Sequence, residues 1–180
     1  MTAAQPVATA QSRHPVSADA PDWERERPRE FWDPGRKLIK ALRDYNRLGD
    51  RSDPLTALRR ALVTIRHRFW SAVTACDIPL GFNPAGGFML PHPTGVVIHP
   101  KSVVGPNCMV FQHATLGTAG KGRKGAPILG GHVDVGAGAR IIGPVTIGDH
   151  AVIGANAVVL IDVPAGATAA GVPARIVSEA

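Results

Sequence analysis

In the second half of the chain, aliphatic side chains recur at every sixth position. They stand at Ile98, Val104, Val110 and Leu116, and again at Leu129, Val135, Ile141, Ile147, Ile153 and Val159. Six of these ten are followed by glycine. Two positions before most of them is a small residue or valine: Ser102, Cys108, Ala114, Val133, Ala139, Val145, Ala151 and Ala157. A helix has a period of 3.6 and a strand a period of 2, so neither explains six. A chain that runs straight, bends at a small residue and runs straight again does. Three such runs close one triangular coil, and coils stack at the spacing of strands, about 4.8 Å. The pattern predicts a parallel β-helix of a little over three coils, with room for another before Ile98.

The first half has a different pattern. Asp33-Pro34 predicts a helix start, and Leu38, Ile39, Leu42 and Tyr45 follow at three- and four-residue steps. Gly49 and Asp53-Pro54 interrupt. A second helix is predicted from about Leu55 to Thr74, with Leu55, Leu58, Leu62, Ile65, Phe69 and Val73 on one face. Isolated helices of this length are marginal. Both are expected to bury their apolar stripes against the second half or a neighbouring subunit. Three segments result: a disordered tail over 1–25, a helical region over 26–75 and a β-helix over 76–177.

Composition supports this division. Residues 1–80 hold 14 Lys/Arg and 10 Asp/Glu, whereas residues 81–180 hold six and four but 18 of the 20 glycines. The net charge is +6. The basic residues are interspersed with acids and lack interleaved aromatics, which argues against a nucleic-acid partner. The apolar runs are far too short to span a membrane. Cys76 and Cys108 belong to no ligand-spacing motif and suit a reducing, cytoplasmic setting. The N-terminus has no compact apolar segment of a secretory signal.

The repeat breaks between Leu116 and Leu129, so residues 117–127 are expected to loop out. This segment is Gly-rich and basic but is not a P-loop. It reads either as a plain surface loop or as a basic flap over a phosphate-bearing ligand.

Of the seven histidines, His92 stands out. It lies six residues before Ile98, where the repeat expects an aliphatic residue, and a titratable group in a core register needs a partner or a function. His14 falls in the tail. His67 stands between Arg66 and Arg68 and reads as solvated; His99 and His150 read as surface residues, and His132 as a coil cap.

Taken together, the hexads, Thr115-Leu116-Gly117, the run from Gly136 to Leu160 and the ending from Asp162 to Val177 resemble serine acetyltransferases. The resemblance implies a left-handed parallel β-helix and a homotrimer, with acetyl-coenzyme A in the groove between subunits and paired trimers as a further option. It implies a hydroxyl acceptor and no metal. It assigns His92, in His92-Pro93-Thr94-Gly95-Val96-Val97-Ile98, as general base and Asp77, fifteen residues upstream, as the carboxylate that orients it. It places the coenzyme near Gly117, Thr118, Ala137, Gly138, Ala139 and Ala155, with Arg140 and Arg175 in reach of phosphates. A backbone N–H near Gly117 would face the developing oxyanion.

Some positions depart from the family pattern. Pro91 stands where the family has Asp, and Gly125-Ala126 where it has an Arg-His pair that grips the substrate carboxylate. Arg123 and Lys124 are nearby substitutes, and His113 is an additional imidazole for the acceptor. The leading reading is acetyl transfer to L-serine, giving O-acetyl-L-serine for cysteine biosynthesis. The alternative is transfer to a sugar or exopolysaccharide precursor. A third class holds a non-catalytic β-helix scaffold or a metal hydratase, for which His92, His99, His113 and His132 offer histidines but no spacing motif.

Overall fold

The structure is a computed structural model that describes residues 16–120 and 124–178. Helix α1 spans Pro34–Leu48 and α2 spans Pro54–Thr74. Each begins on an Asp-Pro pair, the first read from the sequence as a helix start and the second as an interruption just before the helix. The carboxylates of Asp33 and Asp53 accept hydrogen bonds from the N–H groups of Arg36 and Thr56, and proline occupies a position whose N–H has no helical partner.

Three parallel sheets form the faces of the β-helix. The first stacks β1 (Val97–Ile98), β4 (Thr115–Gly117), β7 (Arg140–Ile142) and β10 (Val158–Val159). The second stacks β2 (Val103–Val104), β5 (Ile128–Leu129) and β8 (Thr146–Ile147). The third stacks β3 (Met109–Val110), β6 (Asp134–Val135), β9 (Val152–Ile153) and β11 (Thr168–Gly171), and antiparallel β12 (Ala174–Ser178) closes it. The ladders pair Ile98 with Leu116, Leu116 with Ile141 and Ile141 with Val159. All ten hexad aliphatics are buried, as are the eight residues two positions before them. The aliphatics fill the strand interior and the smaller residues line the bends.

A further coil precedes β1. Asp77 bridges Val97, Met89 bridges Met109, and the Ala85 N–H bonds the Val104 carbonyl. Here the spacing departs from the repeat and corrects the reading of His92. Phe88 and Leu90 take the buried positions, and Leu90 stands eight residues before Ile98 instead of six. The two extra residues lengthen the corner and turn His92 outward, so it is exposed and not in a core register.

Three other expectations change, and the two helices divide the alternatives left open to them. Residues 16–25, assigned to the tail, lie against the β-helix, while residues 1–15 are outside the described residues. Asn107 holds this strap: its amide donates to the Ser17 and Ala20 carbonyls, and its Oδ1 accepts from the Asp22 N–H. A short 3-10 turn, Trp23–Glu26, follows. His67 is buried, with Nε2 2.9 Å from the Ile78 carbonyl oxygen, because it faces the first coil while Arg68 faces water. The predicted loop narrows, since Gly117 belongs to β4 and Ala126 and Pro127 are buried in the coil. Finally, α1 buries Leu38, Ile39 and Leu42 in the common core, but the apolar stripe of α2 faces outward.

The strap and α1 are joined by a buried ion pair. Arg43 meets both carboxylate oxygens of Glu26 at 2.7 and 2.9 Å and also donates to the Asn83 side chain and to the Pro84 and Ala85 carbonyls. Glu26 accepts from the Phe88 N–H. Every member of this network is satisfied, the condition under which a buried pair holds.

Candidate functional site

The corner between the third and first sheets repeats in successive coils and forms a straight column. His92 and Gly95 occupy it before β1, Gln112 and His113 before β4, Ala137 and Gly138 before β7, and Ala155 and Asn156 before β10. Backbone hydrogen bonds stack these corners: His113 N–H to Thr94 oxygen, Gly138 N–H to Gln112 oxygen, and Asn156 N–H to Ala137 oxygen, each 2.8 Å. His113 has φ 59° and Asn156 φ 57°, the left-handed conformation that lets the chain turn at one residue. The His113 ring lies over Gly95, where any Cβ would collide with it. The His92 ring centroid is 6.2 Å from that of Phe111.

The column therefore brings together His92, His113, Ala137, Gly138 and Ala155 of the residues proposed from sequence. Ala139 leaves the set: it is fully buried, its N–H bonds the Gly136 carbonyl and its carbonyl accepts from Thr115. It lines the core. Arg140 is exposed on the first sheet, with its guanidinium 3.5 Å from the Gly138 carbonyl. Arg175 is exposed on β12, beyond the last full coil. Lys124 is exposed, and Arg123 is outside the described residues.

On the first sheet, Asp77, Gly117 and Thr118 line a cleft of about 310 Å³ that also takes in His99. Asp77 is anchored by its backbone, which donates to the Val96 carbonyl and accepts from the Ile98 N–H. The corner that carries His92 stacks on the end of α2 through the bond from the Gly95 N–H to the Thr74 carbonyl, three residues before Asp77. The two candidate partners thus flank one corner on consecutive turns of chain. No hydrogen bond or ion pair joins the Asp77 carboxylate to the His92 imidazole. Catalytic hydrogen bonds are often long in the absence of substrate.

Three neighbours of the candidate site were not assigned to it from sequence. Phe111 backs the His92 ring; His99 lines the Asp77 cleft; and Gln112 has a buried Oε1 without a hydrogen-bond partner, one coil from His92. The six-residue period places Gln112 at a corner but gives no sign that its oxygen is left unpaired.

The opposite corner column carries His132 and His150, whose Nδ1 atoms are 2.9 Å apart. Burial disfavours the charged form of His132 and the facing His150 adds to this, while Asp134 opposes it. Burial also pushes the Asp134 carboxyl above its ordinary range. Among the described residues no group of three or more His, Cys, Asp or Glu is placed to hold a metal ion, and no helix is long and apolar enough to cross a membrane.

Against known proteins, the chain is 48% identical over 123 residues to the serine acetyltransferase of Haemophilus influenzae, covering 67% of this chain and 46% of that protein. The fold superposes on serine acetyltransferase from Brucella abortus in complex with coenzyme A, with a TM-score of 0.69 and 32% identity over 82% of this chain and 57% of that one. It also superposes on the Neisseria gonorrhoeae enzyme in complex with serine, with a TM-score of 0.67 and 34% identity over 82% and 58%. The chain belongs to the serine acetyltransferase family. No family model matches it. It spans about half the length of the curated serine acetyltransferases it matches, from 43% to 63% for the first two.

Proposed function

We propose that this protein is an acetyl-coenzyme A-dependent O-acetyltransferase that uses His92 as general base. One observation carries the reading: the exposed imidazole of His92 heads a column of corners with small side chains, beside the cleft of Asp77, in a fold shared with a serine acetyltransferase that binds coenzyme A.

The residues present suit an extended cosubstrate. Ala137, Gly138 and Ala155 keep side-chain bulk low along the column, and the unpaired Gln112 oxygen offers an acceptor for an amide N–H. Arg140 offers a cation beside the column. Acetyl-coenzyme A, when bound, supplies the acetyl group as a thioester. A free hydroxyl is a poor nucleophile at neutral pH, so a base must take its proton as the new C–O bond forms. His92 takes that proton and returns it to the leaving sulfur. Asp77 stabilises the transient imidazolium and fixes the ring tautomer, as a carboxylate does in a triad. A backbone N–H at Gly117–Thr118, where β4 leaves its ladder, faces the charge that develops on the carbonyl oxygen. The acetyl group passes directly to the acceptor, without an acyl-enzyme.

L-serine is the first acceptor, as in the relatives. A sugar hydroxyl is the second reading, favoured by the acceptor side of the site. Pro91 and Ala126 carry no charge, and Gly125 (φ 137°) packs so close to the Pro144 ring that a side chain there would displace it. A carboxylate finds fewer charge-assisted partners in such a pocket. His113, Lys124 and Arg123 remain as acceptor-binding groups.

The finer architecture follows from the same reading: a left-handed coil, a homotrimer with active sites between subunits, and a cytoplasmic setting. Thiol release from acetyl-coenzyme A, measured with L-serine and with a panel of sugars, tests the proposal. Release that depends on one acceptor supports it and identifies the acceptor class. Neither release nor coenzyme A binding would remove the enzymatic reading.

A further inference from the structure

The second and third sheets meet at a corner column that acetyl transfer does not use. Its left-handed residues are Asn107 (φ 59°), His132 (φ 53°), His150 (φ 61°) and Gly166 (φ 71°), one from each successive coil. Backbone bonds stack them. The His132 N–H donates to the Pro106 carbonyl at 2.7 Å, the His150 N–H to the Gly131 carbonyl at 2.9 Å and the Gly166 N–H to the Asp149 carbonyl at 2.8 Å. The turn asks only for a residue that tolerates a positive φ, and asparagine or glycine suffices, as at Asn107 and Gly166. Histidine at two successive levels adds something the turn does not need: ring nitrogens from two coils on one corner.

The two rings converge. Their Nδ1 atoms are 2.9 Å apart and their planes are inclined by 71°. Two neutral imidazoles at that distance share one proton, so one nitrogen donates and the other accepts. The same distance is the right-angle edge of a metal coordination sphere. With metal–nitrogen bonds of about 2.05 Å, neighbouring ligands lie about 2.9 Å apart on a square-planar or octahedral ion and about 3.3 Å apart on a tetrahedral one. Asp134 and Arg25 act on His132 in opposite senses, and Asp149, whose Oδ1 accepts from the Gly131 N–H at 2.6 Å, precedes His150. Two carboxylates against one guanidinium favour a cation. His132 is half-buried and His150 exposed, so an ion reaches them from solvent and water completes its shell.

We propose that His132 and His150 chelate a divalent transition-metal ion of tetragonal preference, Cu(II) or Ni(II), through both Nδ1 atoms. Each ring then carries its proton on Nε2. Both rings stay neutral, and only the proton shared between the Nδ1 atoms moves, to Nε2 of its own ring. The ion ties together two coils whose ligands are 18 residues apart. The site is on a different corner from His92 and does not depend on the acetyl-transfer reading.

Cu(II) alone, titrated into the full chain and followed by electron paramagnetic resonance, tests the proposal. Asparagine is the replacement to use, because Asn107 shows that it holds the same left-handed corner. Wild type is expected to bind one tight equivalent per chain, with a tetragonal spectrum and coupling to two imidazole nitrogens. His132→Asn and His150→Asn are each expected to weaken that binding roughly tenfold or more, because a single ligand loses the chelate. His92→Ala, which removes an exposed histidine from the other column, is expected to leave it intact. Ni(II) is expected to raise the Tm of wild type and not that of either asparagine variant. Equal Cu(II) affinity in wild type and both asparagine variants overturns the proposal and leaves a hydrogen-bonded pair. Loss of the tight equivalent in His92→Ala alone, or coupling to a single nitrogen, overturns it as well.

Discussion

The coils from residue 97 to 171 and the segment from residue 16 to 74 are ordered by different means. In the coils each inner strand is hydrogen-bonded to the strands on either side, and the interior aliphatics stack in register along the ladders. Order is spread evenly, so no one residue carries a coil. In the N-terminal segment a few side chains carry it. Glu26 and Arg43 tie the strap to α1 and the first coil, and Asn107 alone takes three bonds from the strap. Repetition gives the first region redundancy. The second is free to turn one helix inward and leave the other facing out.

The largest contrast comes from deleting one member of each region. Glu26→Ala leaves Arg43 buried without its partner and is expected to cost about 3–5 kcal/mol. Ile141→Ala opens a cavity in the coil interior and is expected to cost about 2–5 kcal/mol. The totals are similar but their distribution differs. Hydrogen exchange should show Glu26→Ala releasing the strap and α1 while β4 to β10 stay protected, and Ile141→Ala lowering protection across the coils. Equal loss of protection everywhere in both variants would erase the contrast.

A smaller effect is expected at Asn107. Asn107→Ala strands two carbonyls and one N–H of the strap, each returned to water as the strap lifts, for about 1–3 kcal/mol. Limited proteolysis should cut within residues 16–22 in the variant and not in the wild type.

Smaller still is a pH effect at the junction of the two regions. Burial holds His67 below its ordinary value; the bond to Ile78 opposes this and Arg68 adds to it. The unfolded chain therefore binds a proton that the folded chain resists. The contribution is fully present above about pH 6.5, the unperturbed value, and is lost as the pH falls through the lower folded value. Thermal melts between pH 7.5 and 5.5 should show Tm falling, and His67→Gln, which keeps a donor for Ile78, should flatten that slope.

The regularity of each region decided how much of it could be read from sequence. Asp33-Pro34 marked the first helix start because capping is local chemistry, whereas Asp53-Pro54, which caps the second, read only as an interruption; the hexads marked the coils because every coil repeats one packing problem. The strap was not legible, since its bonds join residues 85 to 90 positions apart. Nor was the burial of His67, whose arginine neighbours suggested water. At the candidate site the sequence located His92 and the small corners, but not the lengthened corner that exposes His92. Two inserted residues break a count of six without leaving a mark of their own. Ala139 was assigned to the wrong side of the chain for a related reason: an alanine beside a corner reads alike whether it faces the groove or the core.

His92 is where the regular coils begin and where the account puts its chemistry. The most direct measurement is kcat/KM for acetyl transfer by His92→Ala and wild type, with the acceptor that supports turnover and with coenzyme A binding followed separately. Both cysteines are buried, and burial raises the Cys108 thiol to about 11, so a thiol reagent reads the released coenzyme and not the protein. A general base contributes about 10²–10⁴-fold, so kcat/KM should fall by that factor while coenzyme A binding is unchanged. An unchanged kcat/KM would contradict the account.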